Sequence, residues 1–300
     1  MLQKFDPRND TIKVYVKDGI YAREDAKVSV FDSVVQGGDA VWEGLRLYNG
    51  GIFMLDRHLE RLHNSAKAMH FTDIPDKESI KAAISETLKA NNMQNGVHIR
   101  LTLTRGEKIT SGMDPRLNSK GSCLIILPEY KAPVYDNESG IRIISSSIMR
   151  NSPRHLDSKI HHNNLINNIL AKIQANVAGV DAALMMDVNG FASELNGTNI
   201  FMINKGKVYT PHADACLPGI TRGLIIELCL ELGLECVEKN ISLVELYTSD
   251  EVFCTGTMGE LTPISEIDGR KITNSSETRL LDRLQHAFEA KIPSMSIAVV

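Results

Sequence analysis

Apolar and polar positions alternate with two different periods along this 300-residue chain, and each change of period marks an element. "TIKVYVKDGIYARE" reads as two short strands around Asp18-Gly19, a favoured hairpin dipeptide. In "FMLDRHLERLHNSAKAMHF", Leu55, Leu59, Leu62, Ala66 and Met69 recur at steps of three and four, which predicts an amphipathic helix. "DKESIKAAISETLKANN" predicts a second, with Ile80, Ile84 and Leu88 on one face. "VHIRLTLTRG" alternates from Val97 to Thr104 and predicts a strand. The apolar run "CLIIL" gives way to "PEYKAPVYDNESG", whose prolines, glycine and polar residues predict a linker over 128–140. That division expects one domain over 1–127 and another over 141–300.

The second half opens with a strand, "IRIISSS". "LDSKIHHNNLINNILAKIQAN" then places Lys159 at the entrance to a helix. Hairpins are expected on Asn189-Gly190 and Lys205-Gly206. "LPGITRGLIIELCLELG" predicts a helix closed by Gly233. "DEVFCTGTMGELTPI" predicts a strand running into a Gly/Thr turn, and "ETRLLDRLQHAFEA" a last helix. Strands and helices mix without strict β-α-β alternation, which favours an α+β fold over a doubly wound sheet.

Composition narrows the class. The chain is 43% apolar and 23% charged, as soluble globular proteins are. A net charge of −4 argues against nucleic acid as the main partner and leaves room for a small anion in a local basic site. Apolar runs fall short of the roughly 18 residues that span a membrane. "MLQKFDPRND" lacks the apolar stretch of a secretory signal. Five cysteines without a C-x-x-C pair point to reduced thiols in the cytoplasm, and no metal site is expected.

Several short stretches could carry chemistry. Pro218-Gly219 forces a turn, and Ile220 and Thr221 then open a helix whose first N–H groups favour an anion. Alone, the same stretch is an ordinary helix start. In "CTGTMGE", Gly256 between Thr255 and Thr257 lets backbone N–H groups approach a phosphate, or simply makes a polar turn. Glu194 in "GFASELNGTN" is either a carboxylate placed against a cationic ring nitrogen or a surface glutamate. Arg61 in "HLERLHNSAK" can turn inward and grip a phosphate with its planar fork. Lys159 is either a solvated lysine or an amine held for covalent chemistry. Together these residues make the set that pyridoxal 5'-phosphate requires for its phosphate, ring nitrogen and aldehyde. His161 and His162, being adjacent, do not share a helix face and read as packing or solvent-facing groups. The methionines of "AALMMD" read as core, and Trp42 as core or pocket wall.

The run "AVWEGLRLYNGGIFMLDRHLERLHNSAK", "HIRLTLTRG", "DVNGFASELNGTNIF", "LPGITRGLIIEL" and "DEVFCTGTMGELTPI", in this order, resembles the class IV (fold type IV) pyridoxal-phosphate aminotransferases. The likeness is closest to branched-chain amino acid aminotransferases. It implies a two-domain α+β fold of the D-amino-acid aminotransferase type, with a smaller N-terminal α/β domain and a larger C-terminal mixed domain. It also implies a homodimer that moves an amino group from an amino acid to a 2-oxo acid such as 2-oxoglutarate. Lys159 then stands at the Schiff-base position, Arg61 and Gly219, Ile220, Thr221, Gly256 and Thr257 around the phosphate, and Glu194 at the ring nitrogen. Gln36, Trp42, Gly44, His98, Arg100 and Met258 surround the substrate, and Arg105 competes with Arg100 for its carboxylate. The chain departs from the family at "KIHHNN", which lacks a tyrosine after the lysine, and at Gln36 and His98, which replace tyrosines. On the same fold, a D-amino-acid or (R)-amine transaminase and an aminodeoxychorismate lyase are alternatives. A non-catalytic phosphate- or cofactor-binding protein is another.

Overall fold

The computed structural model describes residues 4–274 and 279–300. Met1 to Gln3 of the N-terminal stretch, and Glu277 and Thr278 at the front of the last expected helix, lie outside the described residues. In chain order the first elements are β1 (Lys13–Val16), β2 (Gly19–Ala22), α1 (Ser33–Gly37), β3 (Ala40–Tyr48), β4 (Gly51–Phe53) and α2 (Leu55–Ala68). Then come α3 (Lys77–Ala90), β5 (Val97–Thr104), β6 (Cys123–Tyr130), β7 (Ile141–Ser145), α4 (Ile166–Val177), β8 (Ala182–Met186) and β9 (Ala192–Leu195). The rest are β10 (Asn199–Asn204), β11 (Lys207–Thr210), α5 (Ile220–Glu231), β12 (Cys236–Glu238), α6 (Leu243–Tyr247), β13 (Glu251–Gly256), β14 (Glu260–Ile267), β15 (Arg270–Lys271), α7 (Leu280–Lys291) and β16 (Ser296–Ala298). Among the described residues no helix is long and apolar enough to cross a membrane.

The chain forms two compact units. The first holds the described residues up to Ala132, with Ile160–Asn164 and Ile292–Val300; the second holds Pro133–Lys159 and Leu165–Lys291. The expected 141–300 domain therefore gives up two segments to the first unit. The expected linker also shortens, because β6 keeps its ladder with β5 through Pro128 to Tyr130. Its pairing with β1 has already ended at Ile126, so the strand tolerates a residue without an N–H there.

The first unit is built on an antiparallel sheet of order β16-β4-β3-β5-β6-β1-β2. Along β3 and β5 the residues Val41, Leu45, Leu47, Val97, Ile99, Leu101 and Leu103 share one face. There they form a core with Leu55, Leu59 and Leu62 of α2 and Ile80, Ile84 and Leu88 of α3. The two helical periods thus bury the faces they predict. The first hairpin turns on Lys17 and Asp18, one residue earlier than expected: Val16 pairs with Gly19, and Lys17 takes a φ of 64°.

The second unit carries a mixed sheet of order β12-β11-β10-β13-β14-β7-β8-β9, with β15 paired to β14. Strand pairs β7–β8, β7–β14 and β11–β12 are parallel. Leu184, Ile200, Met202, Val252 and Ile264 lie in its core. The hairpin β10–β11 turns on Lys205-Gly206, as the pattern indicates. Gly233 follows α5 with a φ of 67° and closes it. α4 starts at Ile166, so Lys159 is not at a helix entrance; it lies in irregular chain ahead of that helix.

Candidate functional site

In the second unit, β9 pairs with β8 and places Glu194 opposite Met185, in a strand with every residue buried. A carboxylate removed from water needs donors. Arg150 Nε donates to Oε1 at 2.6 Å, Asn199 Nδ2 to Oε2 at 3.2 Å and the Leu217 N–H to Oε2 at 3.3 Å. The Arg150 backbone is itself fixed, its N–H donating to Met186 O at 2.8 Å. Arg150 and Asn199 escape sequence reasoning, since neither lies in a periodic pattern that marks a function.

Asn199 also joins the two expected anion turns. α5 begins at Ile220 behind Gly219, which offers no side-chain cap, and the first intrahelical bond across the turn runs from Gly223 N to Gly219 O at 2.9 Å. The N–H groups of Ile220, Thr221 and Arg222 therefore have no intrahelical acceptor and carry the positive end of the helix dipole. A Cβ on Gly219 would fall 2.0 Å from Asn199 Oδ1, so only glycine allows this approach. On its other side Asn199 pairs with Thr255, next to Gly256, where a Cβ would lie 3.1 Å from Thr198 Cγ2. Thr257 and Met258 follow in the turn, and Met258 O accepts from Val134 N at 3.1 Å. The buried Thr255 hydroxyl has no hydrogen-bond partner among the described residues. Donor-rich backbone, an unsatisfied hydroxyl and a glycine-only approach suit a phosphate, and the buried Glu194 suits a protonated ring nitrogen. The residues present fit pyridoxal phosphate.

Lys159 is exposed, and its backbone N–H donates to Asp157 Oδ1 at 3.0 Å. Its neighbour Ser158 is buried and donates to Asn151 O at 2.9 Å, one residue from Arg150. The thiol of Cys216 links these charges. Burial first, then the charge of Glu194, pushes it up to about 12, while Arg222, Arg150 and Lys159 pull the other way. The charges of Glu194, Arg222, Arg150 and Lys159 thus all bear on this buried thiol.

In the first unit, the sheet face away from the helices carries Trp42, Gly44 and Arg46 on β3, opposite Thr102, Arg100 and His98 on β5. The Arg100 guanidinium lies 3.5 Å from the Trp42 ring centre and donates to Asn163 Oδ1 at 3.2 Å. Burial lowers Arg100 to about 10. Burial, with Lys131, Arg46 and Arg100 nearby, lowers His98 to about 3 and keeps it neutral. A Cβ on Gly44 would sit 3.3 Å from His98 Nε2, so the glycine lets that ring approach the strand. Gln36 is exposed on α1 and donates to Val30 O at 3.3 Å.

Arg105 has its fork occupied within the first unit. Its Nε and Nη2 donate to the Asp39 carboxylate at 2.7 and 3.1 Å, and Nη2 and Nη1 reach Met69 O and His70 O. The fork ties the start of β3 to the end of α2. Arg61 is largely buried, and the group it grips is the Glu43 carboxylate, with Nε–Oε1 at 2.8 Å and Nη2–Oε2 at 2.7 Å. His58 Nδ1 lies 2.7 Å and His161 Nδ1 3.2 Å from the same carboxylate. Burial alone would raise the Glu43 carboxyl; Arg61 and His161 outweigh it and hold it well below its usual range. Burial lowers His161 to about 4. The sequence does signal Glu43: it stands in phase with Val41, Leu45 and Leu47 on the core face of β3.

The residues just after Lys159 belong to the first unit. Trp42 N donates to His161 O at 2.9 Å, Asn163 N to Ala40 O at 2.8 Å and His161 N to Ser65 Oγ at 3.1 Å. The His161 ring packs 4.2 Å from the Trp42 ring. Both histidines are thus packing groups off any helix, as their adjacency suggests.

Residues 40–267 match the family model described as amino-transferase class IV. The chain is 56% identical over 283 residues to branched-chain-amino-acid aminotransferase-like protein 2 of Arabidopsis thaliana, across 94% of this chain and 51% of that protein. It therefore spans about half the length of that plant relative. It is 34% identical over 273 residues to the branched-chain-amino-acid aminotransferase of Pseudomonas aeruginosa, across 88% of this chain and 87% of that protein. Among solved structures it is similar to the branched-chain aminotransferase of the thermophilic archaeon Thermoproteus uzoniensis with norvaline. The TM-score is 0.87 and the identity 28%, over 97% of this chain and 100% of that one. The glycine-bound turns, the buried glutamate and the match over 40–267 place this chain in the class IV amino-transferase family.

Proposed function

We propose that this chain catalyses pyridoxal 5'-phosphate-dependent transamination, moving an amino group from an amino acid of the branched-chain type to a 2-oxo acid such as 2-oxoglutarate. The observation that carries this reading is Asn199. One amide side chain lies against the Gly219 turn and the Thr255 strand while it donates to the buried Glu194, so an anion seat and a carboxylate share one support. When bound, the cofactor supplies an aldehyde that condenses with amines and a ring that accepts the electrons left by a departing proton. The N–H groups of Ile220 and Thr221, with Gly256 and Thr257, bind its phosphate. Arg61 is the phosphate arginine, and Glu43 fixes its orientation. Glu194 accepts from the ring N–H and holds the proton there, and Arg150 keeps that carboxylate in place. Lys159 supplies the attaching amine and then carries the proton at the substrate Cα as general acid and base. Arg100 takes the substrate carboxylate with its fork. Gln36, Trp42, Gly44, His98 and Met258 shape the side-chain pocket.

The branched-chain preference draws support from the names of the relatives. The D-amino-acid reading leaned on Arg105, whose fork Asp39 takes up. We also propose that two copies assemble, and that the free thiols suit a reducing cytoplasm. The test is spectral. The cofactor-loaded protein should show a visible band that L-leucine bleaches and 2-oxoglutarate restores. Bleaching by D-alanine alone, or no response to any amino donor, would overturn the assignment.

A further inference from the structure

Two of the free cysteines are brought together by the fold. Cys229 lies in the last turn of α5, and Cys236 opens β12. Between them the chain turns back on Gly233, and the Leu234 N–H donates to Cys229 O at 2.8 Å. Val208 N then donates to Glu235 O at 2.9 Å, which fixes the start of β12 against β11.

The two periods set how helix and strand face each other. Seven residues make two helical turns, so Arg222 and Cys229 share one stripe of α5. Residues two apart share a strand face, so Cys236 and Glu238 look the same way from β12. Arg222 Nη2 donates to Glu238 Oε2, so this stripe and this face meet. At the other end of the same contact the thiols of Cys229 and Cys236 are hydrogen-bonded to each other.

The two sulfurs are unequal. Cys229 is fully buried, whereas Cys236 is half-buried on the edge strand of its sheet. The hydrogen bond from Cys229, with the Arg222 charge behind it, lowers the Cys236 thiol against burial and Glu238. Cys229, which gives that bond, is raised. Oxidants react with the thiolate, and a reactive thiolate beside a second thiol is the arrangement of an attacking and a resolving cysteine.

We propose that Cys229 and Cys236 are a reversible oxidation site, a dithiol that hydrogen peroxide closes into a disulfide between α5 and β12. The Cys236 thiolate attacks one peroxide oxygen and the O–O bond breaks. The hydroxide that leaves takes up the proton Cys236 gave up, and Cys236 becomes a sulfenic acid. The Cys229 sulfur then attacks the Cys236 sulfur. The S–S bond forms, the S–O bond breaks, and a second water leaves with the Cys229 proton. The two thiols lose two electrons in all, and the peroxide becomes two waters. A dithiol reductant reverses the bond by exchange. α5 carries the candidate anion seat at its front, so the disulfide staples the helix on which that seat is built.

The test treats the cofactor-loaded protein with a few equivalents of hydrogen peroxide, alkylates the remaining thiols and maps the peptides by mass. A Cys229–Cys236 linkage should appear, lighter by the two lost hydrogens. Alkylation of Cys236 should fall tenfold or more and return after dithiothreitol. Cys229→Ser should leave Cys236 as a sulfenic acid that dimedone traps, and Cys236→Ser should leave Cys229 unoxidised at the same dose. If both cysteines are still alkylated after peroxide, or if Cys229 is found bonded to a different cysteine, the proposal is overturned. Both variants should keep the response to L-leucine, so the spectral assay above reads the catalytic assignment separately.

Discussion

Glu194 is held against burial by Arg150 at 2.6 Å and two weaker N–H donors, and that dependence can be measured. Removing one partner of a buried ion pair leaves the other charge stranded, at about 3 kcal/mol or more. Arg150→Met should therefore lower stability in urea by about that amount. Arg150→Met with Glu194→Met should recover much of the loss, and a double variant no more stable than the single would contradict this account. Residues of this kind divide by what a sequence can display. Glu43 shows itself as a charge in a core phase, because strand alternation is a local property. Arg150 does not, because its partner is 44 residues away and its own segment has no period. Arg100 and Arg105 look alike in sequence. What separates them is long-range: the acceptors of Asp39, Met69 and His70 arrive around the fork of Arg105, and Asn163 beside Arg100.

At the scale of elements, the start of α5 is the feature that matters most. Gly219→Ala would drive a methyl into Asn199 Oδ1, which a buried amide bonded to Glu194 and Leu217 O cannot absorb without moving. The substitution should weaken binding of pyridoxal phosphate by tenfold or more, about 1.4 kcal/mol, in a fluorescence titration. Gly256→Ala meets only the Thr198 methyl at 3.1 Å and should be milder. Equal, wild-type affinity in both would contradict the cradle. Elements of this sort were largely legible. The helical periods of α2 and α3, the Lys205-Gly206 turn and the Gly233 stop are each set by neighbours a few residues apart. α4 was legible as a helix but not in its start, because "KIHHNNL" continues the polar spacing of a helix while its backbone bonds to β3. The first hairpin slipped by one residue because lysine accepted the left-handed conformation expected of glycine.

At the scale of the whole molecule, buried neutral histidines fix the acid limit. His98 and His161 have folded values of about 3 and about 4, below the usual 6.5, so the unfolded chain takes up protons that the native chain refuses. Stability should be full above about pH 6.5 and fall as pH drops toward 4, by up to about 1.4 kcal/mol per pH unit for each histidine. Glu43, held low by Arg61, adds a loss of the same sign at lower pH. Urea midpoints at pH 7, 6 and 5 check this, and His98→Gln should flatten the slope; an unchanged slope would contradict it. What the sequence could not display is the assignment of 160–164 and 292–300 to the first unit. β16 pairs with β4 across more than two hundred residues, and such pairing leaves no local period. That division also places Lys159 on the last residue before the chain crosses, with His161 and Asn163 fastened just beyond it. The central claim is that this amine bears the cofactor. Loading the protein with pyridoxal phosphate, reducing it with borohydride and mapping its peptides by mass should put the pyridoxyl group on Lys159. A label on another lysine, with Lys159 unmodified, would contradict it.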